Sequence, residues 1–252
     1  MSESKHPSTA FEAYDLPVAR LVEFYRRLNA PVTYPDRMTT SLGIIYWGRD
    51  EHLEVIANAA PRLIESGITR FSQAVQALKT PARLKKLAKQ SGVAEKILRI
   101  LKHDLELWLP EPIELSQFDW LKENPGCREA LLKLGLGDQL AVIAGGQTSP
   151  QRLALSSQGN LEPAQIEEAV KLCDFYRTGK TLGHIRAKIY YAMGLDTWQK
   201  WAGQTSEEII ALFAQYVQEN HLSGERLIPW PKEVRNGIEW AKMHLEIYAV
   251  EW

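Results

Sequence analysis

The side chains best suited to binding chemistry are the lysines and arginines between Lys79 and Lys102. Eight basic residues in this run stand against one acid, Glu95, although the 252-residue chain carries a net charge of −1. Ammonium and guanidinium groups that share a surface neutralise neighbouring phosphates of a nucleic acid. We therefore predict a nucleic-acid contact surface on two helices, made of Lys85, Lys86, Lys89, Lys96, Arg99 and Lys102.

The same run has a second interpretation. From Asp104 to Glu123 the sign reverses, with six acids against a single base, Lys122. Charged runs on helices are most often solvated faces. A basic and an acidic segment can also pair with each other, within one chain or between chains. A protein partner therefore stands beside nucleic acid as a candidate.

Three short amphipathic helices between Arg62 and Trp108 are predicted to position the cations. Gly67 suits the left-handed conformation that ends a helix, and Thr69 is the predicted N-cap of the next one. Thr80, which is followed by a proline, is the predicted N-cap of the second helix, and a turn at Gly92 leads to the third. Each helix is too short to be stable alone, so neighbouring elements must bury its apolar side.

Two tight turns further along the chain provide secondary candidates. They are NPGC, from Asn124, and LGHI, from Leu182. Backbone N–H groups at the start of a helix bind phosphate, so the secondary candidate nucleic-acid contacts are Gly126, Gly183, His184 and Arg186. The alternative is that both turns only pack two helices together.

Short patterns recur along the chain and carry a resemblance. GITRF from Gly67 matches GLDTW from Gly194, and GLGD from Gly135 is a looser third copy. Together with LAKQSGVAEKILRILKHDLEL and NPGCREALLKLGL, these patterns resemble the bacterial domain of unknown function family 4332, over roughly residues 60–215. The resemblance implies tandem helix-hairpin-helix-like units, and the activity of that family is itself unassigned.

The hairpins depart from the pattern of DNA-binding helix-hairpin-helix motifs. Those motifs usually carry an apolar-Gly-apolar-Gly hairpin, whose N–H groups hold a phosphate. Each hairpin here has one glycine, and Cys127 or Ile185 follows at the next positions. This difference weakens the inference of phosphate binding at the hairpins.

Catalytic and metal-binding patterns are not supported by the sequence. The six histidines are scattered, without a second His or Cys at helical spacing for a metal. The two cysteines, Cys127 and Cys173, are too few for a zinc site or a disulfide framework. GKT from Gly179 lacks the first glycine of a P-loop and follows a helix. We therefore predict no catalytic residue, no metal ligand and no cofactor.

The segments at the two ends of the sequence lead to further expectations. MSESKHPSTA, from Met1, lacks the apolar core of a signal peptide, and no run approaches the roughly 18 apolar residues of a membrane span. We predict a cytoplasmic protein without a membrane partner. Near the other end, Trp230, Trp240, Tyr248 and Trp252 could stack on bases or carbohydrate. Docking of these aromatic side chains on the core is the favoured interpretation.

The predicted fold is all-α, with tandem helix-hairpin-helix-like units, an N-terminal helical extension and a C-terminal aromatic helix. We predict four segments, which are 1–58 (extension), 59–109 (first lobe, with the basic surface), 110–222 (second lobe) and 223–252 (Trp-rich helix). Prolines at 110 and 112 mark the boundary between the lobes. The strand-like run from Leu42 to Trp47 is expected to be a buried connection, because one strand cannot form a sheet.

The function predicted from these features is non-enzymatic binding. Nucleic acid, DNA or RNA, is the first partner to test, through the lysine-rich surface. The alternative is a protein–protein interaction scaffold built from helical repeats.

Overall fold

Helices make up nearly all the regular structure in the computed structural model. It describes residues 9–28, 38–39, 45–46, 49–177, 189–222, 229 and 231–252. The fold is all-α, as the sequence predicts. The helices up to Trp108 are α1 (Thr9–Tyr14), α2 (Ala19–Arg27), α3 (Arg49–Glu65), α4 (Phe71–Leu78), α5 (Pro81–Ser91) and α6 (Glu95–Trp108). Those that follow are α7 (Asp119–Glu123), α8 (Pro125–Lys133), α9 (Gln139–Gly145), α10 (Ser149–Gly159), α11 (Pro163–Phe175), α12 (Trp198–Ala202), α13 (Ser206–Glu219) and α14 (Pro231–Ile247).

Two very short strands stand apart from the helices. β1 (Met38–Thr39) pairs with β2 (Ile45–Tyr46) in an antiparallel ladder. The strand-like run from Leu42 to Trp47 therefore contributes to a strand pair, whereas we expected only a connection. The partner strand precedes it by a few residues, so the pair is local and leaves the all-α class unchanged.

The chain divides into two compact units. The basic unit comprises Asp15–Leu109 and Trp230–Trp240, and the Arg177 unit comprises Met1–Tyr14, Pro110–Pro229 and Ala241–Trp252. The division between Leu109 and Pro110 coincides with the lobe boundary expected from the prolines. Residues 1–58 and 223–252 are not separate segments, because each contributes to both units. Apolar positions of the terminal helices complete the two cores, so the predicted four-segment division is replaced by two units.

One type of turn recurs three times with nearly the same geometry. Gly67, Gly135 and Gly194 have φ values of +83°, +79° and +81°. In each case the N–H of the next residue donates to the carbonyl five positions before it, as in a Schellman motif; the pairs are Ile68–Leu63 (2.9 Å), Leu136–Leu131 (3.0 Å) and Leu195–Tyr190 (3.0 Å). The left-handed conformation predicted at Gly67 is confirmed.

Threonine side chains cap the N-termini of several helices. The hydroxyls of Thr80, Thr148 and Thr205 each accept the N–H three residues on, which caps α5, α10 and α13. The predicted cap at Thr80 is confirmed. The cap predicted at Thr69 is wrong by one residue, because α4 begins at Phe71 and Arg70 holds the N-cap position. The amide and hydroxyl of Thr69 donate instead to Gln73 Oε1.

Each unit contains a short extended pairing just before the helix that follows its left-handed turn. In the basic unit, Val18 N–H donates to Thr69 O and Phe71 N–H donates to Leu16 O, both at 2.9 Å. The Arg177 unit repeats this pattern: Leu115 N–H donates to Gly137 O at 3.1 Å, and Gln139 N–H donates to Ile113 O at 3.2 Å. The turn-side residues of the two pairings are 68 positions apart, since 137 − 69 = 68 and 139 − 71 = 68. The helices that follow keep the same offset, since α5 (Pro81–Ser91) and α10 (Ser149–Gly159) begin and end 68 residues apart.

The left-handed turn predicts a conformation-specific loss of stability at Gly135. A Cβ on Gly135 or on Gly137 would have no heavy atom within 4 Å, yet only Gly135 has a positive φ. We expect Gly135→Ala to lower the free energy of unfolding by about 1 kcal/mol, because alanine is strained in the left-handed region. Urea unfolding followed by circular dichroism measures this change.

Gly137→Ala is the matched control for this substitution. It adds the same methyl group two residues away, at a φ that alanine adopts freely, so its effect should stay within about 0.5 kcal/mol. Equal losses for the two variants would contradict the assignment of strain to the turn.

Candidate functional site

The lysines of α5 form an exposed cationic face. Leu84 and Leu87 are buried, whereas Lys85, Lys86 and Lys89 are exposed. This separation follows from helical spacing, since the buried leucines lie three residues apart and the lysines occupy the remaining surface. We call Lys85, Lys86 and Lys89 the α5 face.

The α5 face carries uncompensated charge. No acidic residue occurs in α5, and none of the three lysines forms an ion pair within the part of the chain that the structure describes. The helix is fixed on its other side by contacts with α3, α4 and α6. A rigid helix that presents three ammonium groups to solvent is suited to a polyanion.

The cations predicted on α6 are partly compensated. Arg99 pairs with Glu95 at 3.8 Å, and Lys102 pairs with Glu106 at 3.5 Å. In each pair the two partners lie one turn apart on α6. The Arg99–Glu95 pair is exposed, whereas the Lys102–Glu106 pair is half-buried. Pairs with this spacing contribute about 0.5 kcal/mol each. Lys96 is exposed at the start of the helix. The structure thus brings all six predicted residues onto two packed helices, although Glu106 comes from the acidic segment of the alternative interpretation.

The predicted hairpin at Gly126 is a helix junction. α7 ends at Glu123, α8 begins at Pro125, and Gly126 lies in the first turn of α8, exposed and with open space around it. Cys127 is buried, so the first turn of α8 packs through that side chain. Gly126 belongs to the Arg177 unit, whereas the α5 face belongs to the basic unit. The other predicted hairpin residues, Gly183, His184 and Arg186, lie outside the described residues.

A buried polar cluster, which the sequence did not indicate, lies in the Arg177 unit. Arg177 pairs with Asp174 through Nε at 2.8 Å and also donates to the carbonyl of Tyr248. Its Nη1 lies 3.1 Å from the hydroxyl of Tyr14, and that hydroxyl lies 2.6 Å from His244 Nδ1. We call these five residues the Arg177 cluster. The cluster joins residues from α1, α11, α14 and the segments that follow α11 and α14.

Burial sets the protonation states in the Arg177 cluster. Desolvation raises the pKa of Tyr14 to about 12, although the neighbouring Arg177 acts in the opposite direction. Desolvation and the nearby guanidinium hold the pKa of His244 well below its ordinary 6.5. Tyr14 and His244 are therefore both neutral at pH 7, and one hydrogen bond joins them. The side chains of Tyr14, Arg177 and His244 are fully buried, so this arrangement fits a structural role.

The sequence contains only a weak signal for this cluster. Asp174 and Arg177 lie three residues apart where α11 ends, beside the buried Cys173 and Phe175, and such a charged pair is unusual in a core. Tyr14 and His244 are 230 positions apart, and no local pattern relates them.

The two cysteines are buried and unsuited to nucleophilic chemistry. Desolvation raises the pKa of the Cys127 thiol and, more strongly, that of Cys173. Both thiols therefore stay protonated at neutral pH, and the thiolate is the reactive form.

The described residues offer neither a metal site nor a membrane span. Within the described ranges, no group of three or more His, Cys, Asp or Glu side chains could hold a metal ion. Where the chain is described, every helix is too short or too polar to cross a bilayer.

Comparisons with known proteins leave the function to be inferred from the site. No family model, no curated protein and no solved structure matches the chain. The α5 face is therefore the candidate binding surface on physical grounds.

The neutral state of His244 predicts a pH dependence of stability. A folded pKa below the unfolded value of 6.5 means that the unfolded chain binds the proton more readily. Stability is then fully present above pH 6.5 and is lost as the pH falls below it, by at most about 1.4 kcal/mol per pH unit. Urea unfolding between pH 8 and pH 5.5 should show this slope.

The slope is assigned to His244 by comparing two variants. His244→Asn places an acceptor oxygen near the position of Nδ1 and should remove the slope. His221→Asn, at an exposed position, should retain it. Asp174 is present in every protein compared, so its own titration cancels in the difference. An unchanged slope in His244→Asn would refute the assignment.

Proposed function

We propose that the protein is a non-enzymatic binding protein whose first partner is nucleic acid, DNA or RNA, held through the α5 face. The observation that carries this proposal is the set of three exposed lysines on a helix without acids. Each lysine that neutralises a phosphate releases condensed counterions, which favours binding at low salt.

The cations of α6 extend this surface. The Arg99–Glu95 pair is exposed, so Arg99 exchanges it at little cost for a pair with phosphate. Lys102, whose pair with Glu106 is half-buried, is a weaker contributor. Lys96, in the first turn of α6, lies just beyond the Gly92 turn that follows α5. The contact surface then comprises two consecutive helices.

The proposed contact is made to the backbone of the nucleic acid. No Phe, Tyr or Trp occurs between Phe71 and Trp108, whereas proteins that hold single strands by their bases stack them on aromatic rings. Affinity that comes from phosphates alone depends little on base sequence. The proposed binding is therefore sensitive to salt and tolerant of sequence.

The proposal includes a fold of tandem helix-hairpin-helix-like units, as the resemblance to the family 4332 pattern implies. The recurring left-handed turns at Gly67, Gly135 and Gly194 fit tandem helix-hairpin-helix-like units. Gly126, with space around it at the start of α8, is retained as a secondary contact.

A protein–protein interaction scaffold is the second candidate function. Two leucines in the Arg177 unit favour it, since Leu132 is 48% exposed and Leu153 is 56% exposed. They lie on α8 and α10, which pack against each other. Contiguous apolar patches mark protein-binding surfaces, and in this second proposal the two leucines belong to one such patch.

The nucleic-acid proposal predicts a specific response to charge removal. The triple variant Lys85→Gln, Lys86→Gln, Lys89→Gln should bind labelled duplex DNA more weakly than the unchanged protein at low salt. Across about 50–200 mM salt, the magnitude of its slope of log K against log salt should fall by about 3 if each lysine contacts one phosphate. Fluorescence anisotropy with duplex and single-stranded probes measures both quantities.

A second triple variant controls for net charge and tests the Gly126 junction. Lys122→Gln, Arg128→Gln, Lys133→Gln removes three positive charges from α7 and α8, so long-range attraction falls equally. We expect this control to retain most of the binding. Absence of binding by the unchanged protein at low salt would reject the proposal, and equal losses in the two variants would reject the α5 face as the site.

A further inference from the structure

The residues that follow α14 form an ordered segment on the Arg177 unit. We call Tyr248–Trp252 the strap. Its burial alternates, since Tyr248 and Val250 are buried whereas Ala249 and Glu251 are exposed. Alternation of this kind is what an extended chain lying on a surface produces.

Two glutamines hold the backbone of the strap. Glu251 N–H donates to the carbonyl of Gln147 at 2.9 Å, and the Gln147 side chain donates to Ala249 O at 3.3 Å. From the other side, Gln199 Nε2 donates to Val250 O at 2.7 Å. These bonds engage main-chain atoms of the strap, so they do not depend on its sequence.

Two side chains of the strap, those of Val250 and Trp252, contact the rest of the Arg177 unit. Val250 is 1% exposed. The Trp252 ring lies 4.6 Å from the Arg152 guanidinium carbon and 5.3 Å from Lys171 Nζ, which are cation–π distances. An aliphatic residue followed two positions later by tryptophan is therefore the pattern that fits.

Two of the residues that contact the strap, Arg152 and Lys171, are held in place by contacts that do not involve it. Arg152 Nη1 donates to Gly146 O at 2.9 Å. Lys171 pairs with Glu167 at 2.6 Å and with Asp196 at 2.7 Å. A Cβ on Gly146 would lie 2.3 Å from Val170 Cγ2, so only glycine allows the close approach that positions the turn before Gln147.

We propose that the surface under the strap, formed by Gln147, Arg152, Lys171 and Gln199 and called the groove below, is a binding site for an extended peptide segment of another protein. The segment carries an aliphatic residue two positions before a tryptophan, and the strap is the competitor that fills the groove in cis. The chemistry of the bound strap defines the partner: main-chain hydrogen bonds supply affinity, and alternate side chains supply specificity. Preformed walls lower the ordering cost for a ligand in trans.

The test uses the full chain with its strap displaced. Val250→Asp with Trp252→Ala removes both anchoring side chains and leaves Tyr248, a member of the Arg177 cluster, unchanged. The probe is a fluorescein-labelled peptide of sequence YAVEW. Its anisotropy should rise saturably with this variant and at least about tenfold more weakly with the unchanged protein, whose groove is mostly occupied.

Two matched comparisons assign the binding to the groove. A peptide with aspartate in place of valine should not bind the double variant. Adding Arg152→Gln to the double variant should weaken binding by about fivefold, the equivalent of roughly 1 kcal/mol for one exposed cation–π contact. Adding Arg128→Gln on α8 should leave it unchanged.

Either result is decisive. If the double variant keeps its helical circular dichroism and does not bind YAVEW, or binds the aspartate peptide equally well, the proposal is overturned. If the double variant loses its helical signal, Trp252→Ala alone is used for the same test, because Trp252 is 37% exposed and its removal leaves the core intact. Failure of that variant to bind YAVEW more tightly than the unchanged protein would also overturn the proposal.

Discussion

Short helices impose the main physical constraint on this chain. From α4 to α11 every helix has 14 residues or fewer, which is marginal for a helix in water. The helices therefore depend on contacts with one another and on connections that fix their relative directions. Left-handed glycines and threonine caps provide such connections, because they form hydrogen bonds with backbone N–H and C=O groups that have no partner within the helix at its ends. The cationic surface of α5 rests on this framework.

Unlike the exposed lysines of α5, the polar groups of the Arg177 cluster are buried in the core. A buried ion pair is weak evidence for net stabilisation, since desolvation offsets its Coulomb attraction. Its geometry is nevertheless demanding, because Arg177 must meet Asp174, Tyr14 and two backbone carbonyls at once. Few alternative packings satisfy all these partners. We regard the cluster as a determinant of how α1, α11 and α14 come together within the Arg177 unit.

The features predicted correctly from sequence are those decided within a few residues. The turn at Gly67 depends only on the φ of that glycine, and the helix cap at Thr80 depends only on the nearby N–H of Arg83. Thr69 was misassigned because its pairing with Leu16–Val18, a long-range contact, sets where α4 begins. The charged face of α5 was also predictable, since helical spacing alone separates its lysines from Leu84 and Leu87.

Contacts between distant residues lay beyond such reasoning. The hydrogen bond between Tyr14 and His244 depends on how α1 and α14 fold back onto α11, and no spacing rule encodes it. The same holds for the strap, whose aromatic residue was expected to dock but whose partners, Arg152 and Lys171, could not be named. At Gly126 the local turn signal was real, but the chain continues directly into a helix.

The two units contain equivalent helices 68 residues apart, but the exposed side chains on these helices differ in charge. Adding 68 to the positions of Lys85, Lys86 and Lys89 gives Leu153, Ala154 and Ser157, which are also exposed, on α10. The three positions on α5 thus present charge, and their three counterparts on α10 present none. A ligand that recognises charge finds one of these two faces, whereas a ligand that recognised only the shape of the helix would find both. Binding stoichiometry would therefore distinguish recognition of charge from recognition of shape.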